Sequence, residues 1–293
     1  MKVGISGFGF VGRAVTKAFC ERLMGENVEV YDPYFNSMPS SDEASVVNWF
    51  KTTFKVERPL FTDFSKLLTC DVVFLCVPTL NVKSKAEGKV YEQDTGPLKD
   101  NLDKFQEAGY DGVIAVKSTV LPSNLDKFVH DYPDLRIVGN PEFLQQNNAY
   151  LDFINARVTI IGGKLEDAQE VALAYLEAGM TAPIKFLQTA ADAMLAKYLV
   201  NNFFVVKNAF FNEMRLLTLR AGLDFEGALV AAMEDDRIHP VHTQVPGPDG
   251  QLGFGGACLP KDAIAMYSDT VSKMLDAALT VNEGVRGDGN SLI

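Results

Sequence analysis

Residues 2–12 read KVGISGFGFVG, and their reading decides the fold. Lys2–Ser6 has the apolar pattern of a short buried strand, and Arg13–Arg22 that of a helix. Between them lie Gly7-Phe8-Gly9-Phe10-Val11-Gly12. Glycines at 7, 9 and 12 allow a tight turn and let a pyrophosphate approach the backbone at the helix N-terminus. Val28–Tyr31 is a second strand and ends at Asp32. Strand, glycine turn, helix, strand and acid in this order describe a nucleotide-binding βαβ unit. Asp32 would accept hydrogen bonds from ribose hydroxyls and repel a 2′-phosphate, which favours NAD over NADP; the plainer reading is a turn residue before Pro33.

Working outward, strands and helices alternate. Asp71–Val77 (DVVFLCV) is a strongly buried strand that stops at Pro78-Thr79, and Gly112–Lys117 is another, stopping at Ser118-Thr119. Ile137–Gly139 leads into Asn140-Pro141-Glu142, and Val158–Ile161 into Gly162-Gly163. Helices are expected at 98–108 and 166–179, a helix or a covering segment with the only tryptophan, Trp49, at 46–55, and a polar mobile loop at 81–97. The alternation implies a parallel sheet covered on both faces. Ligands of such sheets lie beyond the carboxyl ends of strands, so the turns at 7–12, 78–79, 118–119 and 140–142 should converge. After about residue 186 the pattern becomes helical: one long helix over 190–221, another over 225–233, a Pro- and Gly-containing loop over 235–250, and a last helix over 262–282. The expected fold class is α/β, an N-terminal Rossmann-like doubly wound parallel sheet in 1–186 followed by an all-helical domain in 187–293.

The chain has 293 residues and a formal net charge of -11, which argues against a general basic surface for nucleic acid. Helix N-termini and local lysines can still hold a dinucleotide phosphate. Cys20, Cys70 and Cys76 read as small buried hydrophobes, and no CxxC pair occurs. Reduced thiols, no charged leader before the first strand and no apolar run of spanning length together predict a cytoplasmic protein without a membrane segment.

The chemistry concentrates in Gly253-Phe254-Gly255-Gly256-Ala257-Cys258-Leu259-Pro260-Lys261-Asp262. Here a thiol on a glycine-rich loop is followed by a lysine and a carboxylate, and nearby positive charge would make it a nucleophile. Lys197 and Asn201 are four apart and share one helix face, where they could stabilise an oxyanion or simply be solvated. Glu142 could activate water or be a helix-terminal charge. Ser118 and Thr119 could bond a ligand hydroxyl or cap the next segment. His239 and His242 near Asp235 and Asp236 invite a metal, but Pro240 breaks any helix between them and no third ligand is close. No metal site is expected.

The ordered set GFGFVG (7–12), CVPT (76–79), STVLP (118–122), NPEFL (140–144), Lys197/Asn201 with NEM (212–214), DDRI (235–238) and GFGGACLPKD (253–262) resembles the nucleotide-sugar dehydrogenases typified by UDP-glucose and GDP-mannose 6-dehydrogenases. The resemblance runs from Lys2 to about Asn282. It implies oxidation of a sugar C6 alcohol to a carboxylate with two NAD. Cys258 would carry a thiohemiacetal and then a thioester, Lys197 and Asn201 would stabilise oxyanions, and Asp262 would help through water or as a base. Glu142 would assist thioester hydrolysis with Thr119. It implies cofactor contacts from Gly7, Gly9, Phe10, Val11, Gly12, Asp32, Val77, Pro78, Thr79, Thr119 and Lys261. It also implies substrate contacts from Phe143, Leu144, Lys197, Asn201, Arg237, Phe254 and Gly255, with the arginine in some members reaching a neighbouring subunit. A homodimer through the long helix follows as well. Two departures stand out. Gln146 and Asn147 replace a family glutamate and glycine, and a glutamine cannot accept a proton. The family's third, nucleotide-binding domain would begin where this sequence stops. Two other readings fit part of the pattern: a two-domain β-hydroxyacid dehydrogenase, which has the KYLVNN segment (197–202) but needs no thiol, and a non-catalytic NAD-binding remnant.

Overall fold

Val72, Phe74 and Cys76 point to one face of a sheet and Val73, Leu75 and Val77 to the other, and all six are buried. Burial on both faces is why the run is apolar throughout instead of alternating. The structure is a computed structural model and describes residues 1–23, 27–36, 52–53, 62–83, 91–145 and 148–286. The expected segment around Trp49 lies largely outside the described residues, as do Gln146 and Asn147. By internal packing the chain divides into two units, Met1–Leu80 with Gln93–Lys197, and Asn81–Glu92 with Tyr198–Ile293.

Along the chain the described strands are β1 (Val3–Ser6), β2 (Val28–Tyr31), β3 (Val72–Leu75), β4 (Asn81–Lys83), β5 (Tyr91–Gln93), β6 (Val113–Val116), β7 (Arg136–Gly139), β8 (Thr159–Gly162) and β9 (Ile184–Leu187). The first unit holds a seven-stranded sheet in the order β2-β1-β3-β6-β7-β8-β9. β1 pairs in parallel with both β2 and β3, so the winding reverses at that point. A reversal of this kind opens a crevice at the strands' carboxyl ends. Helices α1 (Phe10–Arg22), α6 (Ala149–Ile154) and α7 (Leu165–Glu177) cover one face, where Phe19 stacks on Phe74 at 5.2 Å. Helices α3 (Phe64–Leu67), α4 (Gly96–Glu107) and α5 (Pro122–Asp131) cover the other, together with the start of α8 (Ala190–Arg220). The short α2 (Pro33–Asn36) follows β2.

Three expectations are corrected. The sheet is parallel only from β2 to β7. β8 pairs antiparallel with β7 through Gly139 and Gly162, and β9 runs parallel to β8. A doubly buried strand carries the same apolar signature in either direction, so direction is not written in its residues. Second, part of the expected loop at 81–97 is ordered: β4 and β5 pair as a two-stranded sheet, and α4 already begins at Gly96. Third, the expected last helix is two, α10 (Leu259–Thr270) and α11 (Lys273–Arg286). They are separated at Val271, whose φ of 51° is left-handed. No Gly or Pro marks that break, and a β-branched residue rarely adopts such a φ. The sequence pattern also passed over β9, α3, α5 and α6.

The second unit packs α8 from Tyr198 onward with α9 (Phe225–Ala232), α10 and α11. Val205, Ala209, Phe254, Ala263, Leu275 and Ala278 form its main core. Asparagines clamp the glycine-rich loop: Gly253 N–H donates to Asn212 Oδ1 and Phe254 N–H to Asn282 Oδ1, both at 2.7 Å. Gly253 has φ 73°, and a Cβ there would lie 2.3 Å from Asn282 Oδ1. No helix among the described residues is long and apolar enough to cross a membrane.

Candidate active site

In the first unit the glycine turn is shaped for a close-lying ligand. Gly7 has φ 93°, and a Cβ there would meet the Cys76 carbonyl oxygen at 2.7 Å. A Cβ on Gly12 would sit 1.9 Å from the Gly7 carbonyl oxygen, so helix α1 starts tight against the turn. A Cβ on Gly9 would meet nothing within 4 Å, and Phe10 beside it is exposed. The open side of the turn is therefore at Gly9, where α1 presents its first N–H groups. Asp32 ends β2 and accepts from Phe8 N–H at 2.7 Å and from Tyr34 N–H at 2.9 Å. It is thus both the expected acid and a turn residue, and a carboxylate retains lone pairs for further donors. These residues fit a dinucleotide.

The other strand ends are stitched along the same edge. Thr79 Oγ1 donates to the Thr119 carbonyl at 2.7 Å, Gln93 Nε2 to that same oxygen at 3.1 Å, and Ser118 Oγ to the Val77 carbonyl at 2.7 Å. Pro78 is exposed there, whereas Val77 and Thr79 are buried. Beyond β7, Glu142 Oε1 lies 3.8 Å from Lys197 Nζ, and that ammonium stands 5.3 Å from the Phe143 ring centroid. Glu142 Oε2 is buried without a hydrogen-bond partner. Leu144 packs on the core below. Cys76, between these loops, is a buried thiol whose pKa burial pushes up to about 12, with Lys117 opposing the shift and Glu142 adding to it. Cys20 and Cys70 are buried as well.

In the second unit α8 continues with Asn201, one turn after Lys197 on the same helix. Asn201 Nδ2 donates to Asp262 Oδ2 at 2.6 Å. Asp262 is 1% exposed, and its Oδ1 lies 2.7 Å from Lys261 Nζ. That is an ion-pair distance, but neither atom makes a directed hydrogen bond. Asn81 Nδ2 donates to the Lys261 carbonyl at 2.7 Å and so ties β4 to the first turn of α10. Cys258 is exposed, stands at the N-cap of α10, and its carbonyl accepts from Asp262 N–H at 2.9 Å. A thiol at a helix N-terminus feels the positive end of the helix dipole, which favours the thiolate.

The remaining expected site residues also lie in the second unit. Phe254 is buried in the helical core, so only its backbone is available to a ligand. A Cβ on Gly255 would meet the Arg286 guanidinium at 2.1 Å. Arg237 is exposed and pairs with Asp235 through Nε at 2.8 Å. His242 is stacked on Phe204, ring centroids 4.4 Å apart. Among the described residues no three His, Cys, Asp or Glu side chains are placed to hold a metal ion. The sequence reading missed Asn81 and Gln93, which lie in the span taken for a loop. It also missed Lys117, whose signal was a lysine directly after four fully buried residues.

Two family models match the chain. Residues 41–177 match the model of the UDP-glucose/GDP-mannose dehydrogenase family, NAD binding domain, and residues 191–284 that of the family's central domain. A UDP-glucose 6-dehydrogenase of Rickettsia bellii is 28% identical over 297 residues, 95% of this chain and 65% of that protein. The structure of a UDP-glucose dehydrogenase from Pyrobaculum islandicum matches with TM-score 0.76 and 25% identity, over 96% of this chain and 68% of its own. A 3-hydroxyisobutyrate dehydrogenase of Mycobacterium tuberculosis matches 98% of this chain and 94% of its own at TM-score 0.68 and 15% identity, a likeness of fold alone. The chain thus spans under two thirds of the length of the Rickettsia relative.

Proposed function

The chain belongs to the UDP-glucose/GDP-mannose dehydrogenase family, and from this premise we propose that it oxidises the C6 alcohol of a nucleotide sugar to a carboxylate, with UDP-glucose to UDP-glucuronate as the first choice. The observation that carries this reading is the exposed Cys258 at the head of α10, one turn from a buried Asp262 already bonded to Asn201. NAD would be held by Gly7–Gly12 and Asp32 and would supply the hydride acceptor for each oxidation step. The alcohol first loses a hydride and a proton to become an aldehyde. The Cys258 thiolate adds to that carbonyl, and the oxyanion formed takes up a proton to give a thiohemiacetal. Loss of a second hydride and a proton leaves a thioester, and water cleaves it to the carboxylate and the free thiol. Lys197 and Asn201 offer N–H donors to the oxyanions. Glu142, whose Oε2 is buried without a hydrogen-bond partner, takes a proton from the attacking water. Asp262 holds Asn201 in place, and Thr119 helps to order substrate and water.

We also assign a homodimer to this reading. On α8 the exposed Leu199, Phe203, Phe210 and Leu217 recur at helical spacing. Phe203→Glu should then halve the mass measured by light scattering.

The test of the reaction is NADH formed per molecule of limiting UDP-glucose, then GDP-mannose, in the wild type and in Cys258→Ser. About two NADH per sugar in the wild type, with the variant blocked, is the expected result. One NADH, indifferent to the substitution, would sink it in favour of a β-hydroxyacid dehydrogenase.

A further inference from the structure

A lysine with no part in the proposed chemistry is buried at the carboxyl end of β6. Lys117 is 1% exposed. Its Nζ lies 3.1 Å from the Asn140 carbonyl oxygen, 3.3 Å from Asn140 Oδ1 and 3.1 Å from the Tyr175 hydroxyl. An ammonium has three N–H donors, and these are three acceptors. The rings of Phe74, Phe153 and Tyr175 surround the charge at 5.9, 5.2 and 5.9 Å. The Tyr175 hydroxyl donates onward to Asn140 Oδ1 at 2.7 Å, and Asn140 Nδ2 to the Ile160 carbonyl at 2.8 Å.

Burying an ammonium costs several kcal/mol, and an apolar side chain often fills such a site without loss. What an apolar side chain could not supply here is a single group donating to both oxygens of Asn140. That residue opens the turn to Glu142. The Glu142 carboxylate has little hold of its own, with one oxygen lacking a hydrogen-bond partner and the other 3.8 Å from Lys197. Its location is therefore set by the backbone behind it. The next residues after Lys117 are Ser118 and Thr119, so one side chain ties together the loops after β6 and β7.

We propose that Lys117 is a positioning residue for thioester hydrolysis, holding Asn140 so that Glu142 stands where water is activated; the role rests on the dehydrogenase reading above. With its donors engaged and solvent excluded, Lys117 acts by orienting Asn140. Two variants test this. Lys117→Met keeps most of the side-chain length without the charge, and Tyr175→Phe removes one acceptor and keeps the ring. Each is followed by stopped-flow NADH absorbance with UDP-glucose and by hydrogen exchange read by mass spectrometry. In Lys117→Met the initial burst of about two NADH per site should persist, while steady turnover falls roughly 100-fold, the size of a misplaced general base. Tyr175→Phe should show the same split at about 10-fold. Exchange should rise over 118–119 and 140–145 and stay unchanged over α1. Equal loss of burst and turnover, or no loss, overturns the proposal. If the wild type yields no NADH from sugar, the dehydrogenase reading fails separately and the hydrolytic role falls with it; exchange then reports only whether Lys117 orders the loops after β6 and β7, which a rise confined to those loops supports and anything else overturns. If Lys117→Met does not fold, Tyr175→Phe carries the same comparison.

Discussion

The strand ends of the first unit and the thiol cluster of the second are built by opposite means. At the strand ends polar groups satisfy one another: Thr79 and Gln93 share the Thr119 carbonyl, Ser118 bonds Val77, and Lys117 bonds Asn140 and Tyr175. Glu142 Oε2 is the exception. In the second unit, by contrast, Asn81 Oδ1, Asn202 Oδ1, Lys261 Nζ and Asp262 Oδ1 are all buried without a hydrogen-bond partner. Buried polar atoms are rarely left so unless water, a ligand or strain accounts for them. The first region is a finished frame. The second pairs Lys261 with Asp262 at 2.7 Å but leaves buried amide oxygens without a hydrogen-bond partner.

Substitution should break this contrast most sharply at the thiol. Cys258→Ser should lower turnover at least about 10³-fold while NADH binding, followed by fluorescence, is retained. Asp262→Ala should come next. It leaves the Lys261 charge without its partner and Asn201 without its acceptor, and should cost about 3 kcal/mol in denaturant unfolding. A loss under about 1 kcal/mol would reduce this pair to a surface ion pair. In the frame, Gly12→Ala should destabilise by about 2 kcal/mol, because its Cβ would lie 1.9 Å from the Gly7 carbonyl oxygen. Gly9→Ala meets nothing within 4 Å, so it should leave stability alone and weaken NADH binding. Equal effects at the two glycines would remove the argument for an open ligand side.

Two smaller effects sharpen the comparison. Alkylation of the native protein near pH 8, mapped by mass spectrometry, should mark Cys258 and spare Cys76, whose buried thiol has a pKa near 12. Raised above its ordinary 9.0, that thiol keeps its proton in the fold after the unfolded chain has lost it. Its contribution to stability is therefore lost as pH rises through the window from 9.0 to about 12. His242 works in the other direction. Burial first, and then Lys207, hold its pKa below 6.5, so the fold binds its proton less readily than the unfolded chain does. Stability should fall slightly as pH drops below 6.5, and His242→Phe should flatten that slope in thermal melts.

Much of this architecture was legible in particular residues. The glycine spacing at 7–12, followed by Asp32, located the tight turn between β1 and α1, because strand period, turn glycines and a terminal acid are local requirements. Lys197 and Asn201 were paired by helical spacing alone. What could not be read depended on partners distant in sequence. Gln93 lies in a span whose polarity resembles a loop, and only its bonds to Thr119 and Leu121 give it a place. Phe254 stands beside three glycines and a thiol, yet core packing takes its ring inward.

By itself, then, the sequence determined the order of elements, the open glycine turn and the identity of the candidate nucleophile, because each is set by residues within a few positions of one another. The tertiary structure alone decided the direction of β8 and β9, the left-handed break at Val271 and the burial of Lys117 against Asn140. Strand direction, backbone handedness and the satisfaction of a buried charge are settled by which segments pack together, and packing partners are not encoded in any local period.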